Sequence, residues 1–220
     1  FYGSIARSNL AARRELSARR DLATRSRSAR SRPPRIAPQA GKGEPPLRGQ
    51  WLAPFIISPH NPRIIYHGMN YLFRSLDQGN GFKKISGDLT YNDPDKMGDI
   101  PFQTITTITE SPLEFGVIYV GTDDGKVHAT RDGGTTWTEI MYGIAEDRWI
   151  SRVEASRYEK GTVYMSQNGK RHDDFKPYLW KSTDYGKTWQ SITANIPSGP
   201  INVIREDPKN ANVLYVGTDL

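Results

Sequence analysis

Short segments in which apolar and polar residues alternate follow one another through residues 51–220. Examples are TITTIT at 104–109, VIYVGT at 117–122, KVHATR at 126–131 and TWTEI at 136–140, with Gly, Asp, Asn or Pro between such segments. Their β-branched and aromatic residues are typical of short antiparallel strands with one buried face. The pattern therefore predicts an all-β chain with almost no helix.

Internal repeats organise these strands. Three stretches share the pattern Ser/Thr-x-Asp-x-Gly-x-x-aromatic, and each follows an apolar segment that ends in tyrosine. The positions of the pattern are Ser75, Asp77, Gly79 and Phe82; Thr130, Asp132, Gly134 and Trp137; and Ser182, Asp184, Gly186 and Trp189. A fourth segment, NVLYVGTD at 212–219, closely repeats GVIYVGTD at 116–123.

The repeat length indicates the fold. Four short strands that recur every 40 to 55 residues or so are typical of a β-propeller blade, which buries its faces by stacking on neighbouring blades. We predict a propeller of four-stranded antiparallel blades at about 51–90, 103–142 and 150–193, followed by a partial blade at 200–220. This is about three and a half blades, so we expect further blades of a longer chain to complete the ring.

The repeated aspartate is expected to hold a turn. In a hairpin closed by Asp-x-Gly, the carboxylate accepts hydrogen bonds from nearby backbone N–H groups, and glycine supplies a positive φ. The aromatic residue three positions later can fill the gap between two blades. A catalytic acid is needed once, whereas Asp77, Asp132 and Asp184 occur in the same frame. We interpret all three as structural.

These boxes resemble the Asp-box, or BNR repeat, of sialidases, xyloglucanases and sortilin-type receptors. The forms LFRSLDQG and LWKSTDYGKTW are most similar to the sortilin-like group, which includes many bacterial proteins labelled glycosyl hydrolase. The resemblance covers roughly residues 51–220. It implies a propeller with the boxes between the two outer strands of each blade, and an extracellular or periplasmic location. Because the superfamily contains enzymes and non-enzymes, it implies no particular reaction.

Two departures from the repeat are visible. The first box has Phe82 in place of tryptophan and an additional Gly81, which indicates a looser blade edge. The third repeat contains an insertion, NGKRHDDFKPY, between its tyrosine-ended strand and its box. We expect the insertion to lengthen a hairpin or loop.

Positive charge is concentrated at the start of the chain. Residues 1–50 contain 12 Arg or Lys and 3 Asp or Glu, whereas residues 51–220 contain 18 and 21. A stretch such as RRDLATRSRSARSRPPR has little to bury, so we expect residues 1–50 to be a disordered or poorly packed basic extension. Such a tail can contact phosphates, but no aromatic residues are interleaved for base stacking. Nucleic acid is therefore not the expected partner.

The first strand of each blade lines the central channel of a propeller, where ligands gather. Alignment of these strands on Ser58, Ser111, Ser156 and Asp207 places Phe55, Ile108, Val153 and Ile204 in one apolar, buried column. The neighbouring columns face the other way and contain Arg152, Glu154 and Arg205. These three are candidates for ligand binding, and a structural ion-pair network between blades is the alternative.

A second polar group lies in the insertion. His172 with Asp173 and Asp174 can serve acid–base chemistry or hold a cation, since paired carboxylates raise one pKa. Adjacent residues of an extended chain point in opposite directions, which disfavours a carboxylate dyad. Exposed loop polarity is the alternative.

Several classes of chemistry are disfavoured. The chain contains no cysteine, so thiolate catalysis and cysteine-ligated metal sites are excluded. Its four histidines, His60, His67, His128 and His172, lack metal-ligand spacing. No phosphate-binding loop or dinucleotide fingerprint is present. We expect no cofactor and no metal, and the longest apolar run, at 51–57, is too short to cross a membrane.

Two functions from different classes remain. The first is a non-catalytic recognition scaffold that holds a protein, a peptide or a polysaccharide on the propeller. The second is a glycoside hydrolase of the sialidase or xyloglucanase type, in which two carboxylates across the channel flank the scissile bond. A sialidase also needs three arginines and a Tyr/Glu pair, and only Arg152 and Arg205 qualify from the sequence. We favour the recognition scaffold.

Overall fold

The computed structural model describes residues 36–144, 147–193 and 195–219. Residues 1–35 of the expected basic extension lie outside this range. The compact unit that carries all the described strands is Ala37–Leu220. It therefore includes residues 37–50, which the sequence assigned to the extension.

The early start of this unit has a physical cause in the side chains of residues 44–50. The Arg48 guanidinium donates to Asp88 Oδ2 at 2.7 Å and to Thr90 Oγ1 at 3.1 Å. Gln50 Nε2 donates to Asp123 Oδ2 at 2.6 Å. These long-range polar contacts attach the segment to the first two sheets, a role that its proline- and glycine-rich composition does not reveal.

Within the described ranges, fourteen strands form three four-stranded antiparallel sheets and one two-stranded sheet. The first sheet contains β1 (Phe55–Ile57), β2 (Ile65–Gly68), β3 (Leu72–Ser75) and β4 (Lys83–Lys84). The second contains β5 (Ile105–Glu110), β6 (Ile118–Thr122), β7 (Val127–Thr130) and β8 (Thr138–Glu139). The third contains β9 (Trp149–Ala155), β10 (Val163–Asn168), β11 (Tyr178–Ser182) and β12 (Gln190–Ser191). The last contains β13 (Ile201–Glu206) and β14 (Leu214–Thr218).

Each sheet follows chain order, with every strand hydrogen-bonded to the next. The described part of the chain has no α-helix, only two short 3₁₀ turns at Pro94–Lys96 and Lys170–His172. The second of these lies in the insertion, which connects β10 to β11. The prediction of an all-β propeller built from four-stranded antiparallel blades, with a partial last blade, is confirmed; we refer to the sheets as blades 1 to 4.

The hydrophobic core lies between the blades. Blades 1 and 2 enclose Tyr66, Leu72, Ile105 and Val120, and blades 2 and 3 enclose an equivalent cluster around Tyr119, Ile150 and Met165. A smaller cluster around Tyr164, Ile201 and Ile204 joins blades 3 and 4. The second strand of blade 2, β6, is buried along its whole length because blades 1 and 3 pack on its two faces, whereas the outer strand β8 is exposed.

The first strand of each blade, which we call its central strand, was predicted to contribute one residue to an apolar, buried column. This prediction is correct in three blades. Ile108, Val153 and Ile204 are buried, but Phe55 is 64% exposed, so its assignment to the buried column is wrong. Phe55 pairs with His67 in the register that places Ile108 beside Val120. Its position in the sheet is therefore as predicted, and it is exposed because none of the described sheets packs on that face of blade 1.

Candidate functional site

The central strands β5, β9 and β13 share a local irregularity near their start. Each has a β-bulge, which displaces one polar residue: Thr106, Ser151 or Asn202. Thr106 Oγ1 donates to the carbonyl of Ile150 at 2.7 Å, and Ser151 Oγ donates to the carbonyl of Ile201. These bonds connect consecutive central strands and fix the spacing of the side chains that follow them.

A pocket of about 280 Å³ opens beside the following part of these strands. Its lining residues are Ile56, Ile57, Pro59, Ile108, Thr109, Glu110, Pro112, Arg152, Glu154, Ala155, Arg157 and Arg205. The structure thus brings the three predicted channel residues, Arg152, Glu154 and Arg205, to one site. The pocket lies among the central strands of all four blades, and side chains from neighbouring sheets project into it.

Two of these residues form an ion pair. Arg205 Nη1 donates to Glu154 Oε2 at 2.7 Å, across the boundary between blades 3 and 4. The Arg205 side chain is 45% exposed and that of Glu154 is 15% exposed. An ion pair with one solvated partner contributes little to stability, on the order of 1 kcal/mol or less. The guanidinium therefore remains free to bind a second anion or to exchange partners.

Burial changes the proton affinity of the other groups. Desolvation lowers the pKa of Arg152, and the nearby positive charge of Arg205 lowers it further. Desolvation raises the pKa of Glu154, although Arg205 and Arg152 oppose this shift. Among the described residues, Arg152 Nε is buried and has no hydrogen-bond partner. The pocket therefore combines a poorly compensated cation with a carboxyl group that protonates more readily than usual.

Sequence reasoning missed two charged residues of the pocket. Arg157 follows Ser156, two residues after the end of β9, and Glu110 is the last residue of β5. Neither occupies the two columns that the strand alignment singled out, because Glu110 lies one position past the column of Thr109 and Arg157 lies beyond the aligned serine. The repeat itself contained a signal for the acidic residue, since Glu110 and Glu206 occupy the same position in blades 2 and 4.

The second predicted group, His172, Asp173 and Asp174 in the insertion, does not form one site. Asp174 accepts hydrogen bonds from Tyr178 Oη at 2.6 Å and from Arg148, and the Tyr178 bond lowers the pKa of Asp174. Asp173 adopts a left-handed conformation at the end of the 3₁₀ turn, with φ of 54°. His172 lines a different pocket, of about 130 Å³. These three residues are not brought together at one site.

The smaller pocket contains further groups that the sequence did not point to. It is lined by Tyr91, Lys96, Phe102, Gln103, Asp124, Asp147 and His172. Burial raises the pKa of Asp124 and of its neighbour Asp123. Asp123 accepts from Thr104 N at 2.8 Å and from Thr104 Oγ1 at 2.9 Å, so its carboxylate anchors the entry to β5.

A polar residue recurs at the position of Asp123 in every repeat, although its hydrogen-bond partners differ from blade to blade. The residue four positions after each repeated tyrosine is Asn or Asp, at Asn70, Asp123, Asn168 and Asp219. Asn202 Nδ2 donates to Asp219, and Asn168 Nδ2 donates to Asn202 Oδ1. An alignment extended past the strand end would have found this set, and its repetition indicates a structural role.

The three repeated boxes form one kind of turn. In the second, Asp132 Oδ1 accepts hydrogen bonds from the backbone N–H groups of Thr135 and Thr136, both at 2.9 Å, and from Thr130 Oγ1 at 2.8 Å. Bonds from Thr136 lower the pKa of Asp132 to about 2. Gly134 has φ of 96°, and its N–H donates to Thr130 Oγ1.

The first and third boxes repeat this arrangement. Ser75 Oγ donates to Asp77 and accepts from Gly79 N, and Gly81 N donates to Asp77 Oδ1 at 3.0 Å. In the third box, Ser182, Asp184 and Gly186 make the same contacts, and Thr188 N supplies the bond to Asp184. The carboxylates are occupied by their own turns, far along each sheet from the central strands.

The aromatic residue of each box connects neighbouring blades. Trp137 Nε1 donates to the carbonyl of Ile85 in blade 1 at 2.9 Å, and Trp189 Nε1 donates to that of Ile140 in blade 2 at 2.7 Å. Phe82, which stands at this position in the first box, contacts His67 edge to face. The tryptophans thus supply both apolar area and a directional bond.

Neither a metal site nor a membrane span is evident in the part of the chain that the structure describes. No group of three His, Asp or Glu side chains there is arranged to hold a metal ion. No helix in the same ranges is sufficiently long and apolar to cross a bilayer.

The comparisons with known proteins agree with this architecture, although no family model matches the chain. An oligoxyloglucan-reducing end-specific xyloglucanase from Emericella nidulans is 24% identical over 180 residues, which is 76% of this chain and 21% of that protein. Vacuolar protein sorting/targeting protein 10 from Colletotrichum graminicola is 26% identical over 106 residues, or 45% of this chain and 6% of that protein. The chain therefore spans about a fifth or less of these relatives.

Solved structures show the same fold. The GH74 xyloglucanase from Xanthomonas campestris superposes with a TM-score of 0.56 and 21% identity, over 74% of this chain and 26% of that one. For the GH74 enzyme from Niastella koreensis the TM-score is 0.55, with 19% identity over 77% and 24% of the two chains. An ancestral GH74 enzyme has a TM-score of 0.59 and 16% identity, over 79% and 22%. This chain is thus a β-propeller segment similar to xyloglucanases and to a vacuolar sorting protein.

Proposed function

We propose that this chain is part of an exported, sortilin-like Asp-box propeller that acts as a recognition scaffold, with its ligand at the pocket of Arg152, Arg157 and Arg205. The three repeated Ser/Thr-Asp-Gly turns support the Asp-box assignment. An extracellular or periplasmic location follows from the same resemblance. We assign residues 51–220 to the propeller segment.

The convergence of three guanidinium groups on one pocket carries the proposal. They face two carboxylates, of which Glu110 is buried and already accepts bonds from Tyr66 Oη and Gly116 N. Glu154 supplies the second negative charge and pairs with Arg205. The pocket therefore has a positive excess, and guanidinium groups bind carboxylates through paired, charge-assisted hydrogen bonds. An acidic segment of a protein or peptide is the ligand that fits this balance.

The ion pair between Arg205 and Glu154 sets how the ligand enters. Because Arg205 is partly exposed, an incoming carboxylate can take the place of Glu154 without opening the core. Glu154 then competes with the ligand. Its pKa is raised by burial, so it protonates at a higher pH than an ordinary glutamate, and this protonation removes the competitor.

Fluorescence anisotropy with a labelled acidic peptide and its lysine-substituted counterpart tests this function. We expect Arg152→Gln and Arg205→Gln each to weaken binding of the acidic peptide about tenfold, the loss of a charge-assisted bond. Arg63→Gln removes the same charge from an exposed loop residue and serves as the control. Glu154→Gln should strengthen binding. Equal affinity for both peptides, or equal effects of all three arginine variants, would show that the pocket does not recognise acidic ligands.

A glycoside hydrolase is the second candidate, and the similarity to xyloglucanases favours it. Glu154 lines an open pocket and has a raised pKa, as a general acid requires. The second carboxylate, Glu110, is buried; Tyr66 Oη and Gly116 N both donate to its Oε1, and its Oε2 has no hydrogen-bond partner among the described residues. For a sialidase, Arg157 completes a set of three arginines, but no tyrosine is among the described residues that line the pocket.

A reducing-end assay with xyloglucan oligosaccharides and with a sialoside separates the two candidates. Hydrolysis that Glu154→Gln abolishes and Arg63→Gln leaves unchanged would identify an enzyme. Absence of hydrolysis together with tighter peptide binding by Glu154→Gln would identify the recognition scaffold.

A further inference from the structure

A groove of about 380 Å³ opens between the outer strands of blade 1 and the box turn of blade 2. Arg74, Lys83 and Lys84 line it from blade 1, and Gly133 and Trp137 line it from blade 2. No Asp or Glu is among the described residues that line the groove. The groove involves strands β3 and β4, whereas the arginine pocket lies among the central strands.

Two of these cations face each other directly. Arg74 on β3 and Lys83 on β4 are opposed in the register of the antiparallel pair. Directly opposed side chains project from the same face of a sheet, and like charges at such positions repel. The face is the one toward blade 2, because Tyr66, which lies opposite Arg74 on β2, is buried in the core between the two blades. Blade 1 thus holds two positive charges side by side next to the groove.

No carboxylate offsets this repulsion. None of the ion pairs between described residues includes Arg74 or Lys83. Lys84 is the next residue along β4 and therefore points to the opposite face. There its ammonium group pairs with Glu44 at 3.4 Å and lies 4.2 Å from the centre of the Tyr71 ring. The nearby acidic group therefore neutralises Lys84 and leaves the other two cations uncompensated.

The other complete blades do not have this pair of charges. The equivalent opposed positions hold Ala129 and Thr138 in blade 2, and Lys181 and Gln190 in blade 3. The four-stranded blade therefore forms without two cations at these positions. Since the fold does not need the repulsion, a bound anion is the physical reason that fits it.

The box turn of blade 2 keeps the groove open. Tyr185 occupies the position of Gly133 in the third box, and its ring packs beneath Arg131 against the core between blades 2 and 3. The backbone is alike at the two positions, with φ of 71° at Gly133 and 65° at Tyr185. Where the tyrosine ring would stand, Arg74 Nη1 instead donates to the carbonyl of Gly133 at 3.1 Å. This bond fixes the guanidinium group, which has further N–H donors for a ligand.

We propose that this groove binds a phosphoryl group between Arg74 and Lys83. A phosphate monoester carries nearly two negative charges at neutral pH, which matches the two uncompensated positive charges. The guanidinium supplies directed N–H donors to the phosphate oxygens, and the ammonium group acts as a point charge. The bound dianion also removes the repulsion between the two side chains. This inference does not rest on the proposed function, since it concerns other residues and another ligand.

A nuclear magnetic resonance titration of the full 220-residue chain with glucose 6-phosphate tests the site. Sodium chloride keeps the ionic strength constant, and a pH of about 7.5 keeps the phosphate doubly charged. We expect shifts of the Gly133 amide and the Trp137 indole N–H, with a Kd on the order of 1 mM. Glucose, which lacks the phosphoryl group, should cause none. A second titration with O-phosphoserine compares a phosphorylated amino acid with a phosphorylated sugar, and tighter binding of one of them names the carrier.

Three variants separate the groove from the net charge of the chain. Arg74→Gln and Lys83→Gln should each weaken binding of glucose 6-phosphate about tenfold. Lys181→Gln is the matched control, because it removes one positive charge from the position in blade 3 that is equivalent to Arg74. Gly133→Tyr introduces the residue that the third box has naturally and should abolish binding by filling the groove. Lys83→Gln should keep or raise the melting temperature in the absence of phosphate, since it removes a repulsion.

Three results would overturn the proposal. Sodium chloride added alone could produce the same shifts as glucose 6-phosphate, which would indicate general screening. Lys181→Gln could weaken binding as much as Arg74→Gln does, which would show that only net charge matters. The shifts could be confined to the arginine pocket, with none at Gly133 or Trp137, which would place the phosphoryl group there. Binding of the acidic peptide is a separate measurement, so failure of this proposal leaves the proposed function untouched.

Discussion

The hydroxyl of Tyr66 in blade 1 donates a hydrogen bond to Glu110 Oε1 in blade 2, at 3.1 Å and out of contact with solvent. Both residues belong to the repeat. Blade 3 has Ala155 where blade 2 has Glu110, so Tyr119 meets no carboxylate at that position. Tyr66 thus connects two blades through a hydrogen bond to this position, whereas the equivalent Tyr119 faces an alanine there.

This difference predicts unequal effects of one substitution. Tyr66→Phe leaves a buried carboxylate oxygen without one of its donors, and should lower the free energy of unfolding by about 1–2 kcal/mol. Tyr119→Phe is the control and should cost less. Urea unfolding of both variants measures the difference, and a double-mutant cycle with Glu110→Gln isolates the pair. Equal losses at the two tyrosines would show that the hydrogen bond contributes nothing.

The second prediction concerns the tryptophan of the second box. Trp137→Phe removes the indole donor to the Ile85 carbonyl but keeps an aromatic ring, as the first box does naturally with Phe82. We expect a loss of about 1–2 kcal/mol, from one buried bond and some apolar area. Trp51→Phe is the control, because Trp51 is largely exposed. A thermal melt in which both variants match the unmodified chain would contradict a stabilising role for the bond between blades.

A third prediction tests close packing between blades. Gly121→Ala should destabilise the fold by about 1–3 kcal/mol, since the new methyl group would overlap Ile150 and Thr107. Gly217→Ala, at the equivalent position of blade 4, has room for the methyl group and should be nearly neutral. Chemical denaturation gives both values. A tolerated Gly121→Ala would mean that the blades can move apart at no cost.

The fourth prediction is a pH dependence from His128. Burial lowers its pKa to about 4, from an unfolded value of 6.5, although Glu139 opposes the shift and Lys126 adds to it. At a pH between these two pKa values, His128 binds a proton in the unfolded chain but not in the folded chain. Stability contributed by the neutral ring is therefore complete above pH 6.5 and declines as the pH falls toward 4, by on the order of 3 kcal/mol.

His128→Gln isolates this contribution from other titrating groups. The buried Asp123 and Asp124 act in the opposite direction, because their raised pKa values favour the folded state at low pH. Unfolding free energies measured from pH 7.5 to 4 should converge for the variant and the unmodified chain as the pH falls. Parallel curves would show that His128 titrates as it does in water.

The last prediction concerns the box aspartate. The pKa of Asp132, about 2, lies below its unfolded value of 3.8. Its contribution is therefore complete above pH 4 and is lost as the pH falls toward 2. Asp132→Asn should lower the melting temperature at pH 7 and flatten the dependence on pH below 4, with no change in peptide binding at the arginine pocket. A variant that melts normally but loses a ligand would assign Asp132 a functional role.

The sequence by itself determined the repeat, the strand-rich composition and the turn chemistry. These are local: a turn closed by Asp132 and Gly134 needs only residues within a few positions, and a strand such as β6 reveals its faces by alternation. Even the channel residues Arg152, Glu154 and Arg205 could be aligned, because equivalent positions of stacked blades project in the same direction.

Only the tertiary structure decided what depends on neighbouring blades. Arg157 and Glu110 line the pocket although neither lies in an aligned column. Asp174 is separated from the proposed acidic pair because it bonds to Arg148 and Tyr178. Phe55 is exposed although its pattern matches the buried column. Burial requires a second surface, and no periodicity within one strand reveals whether that surface is present.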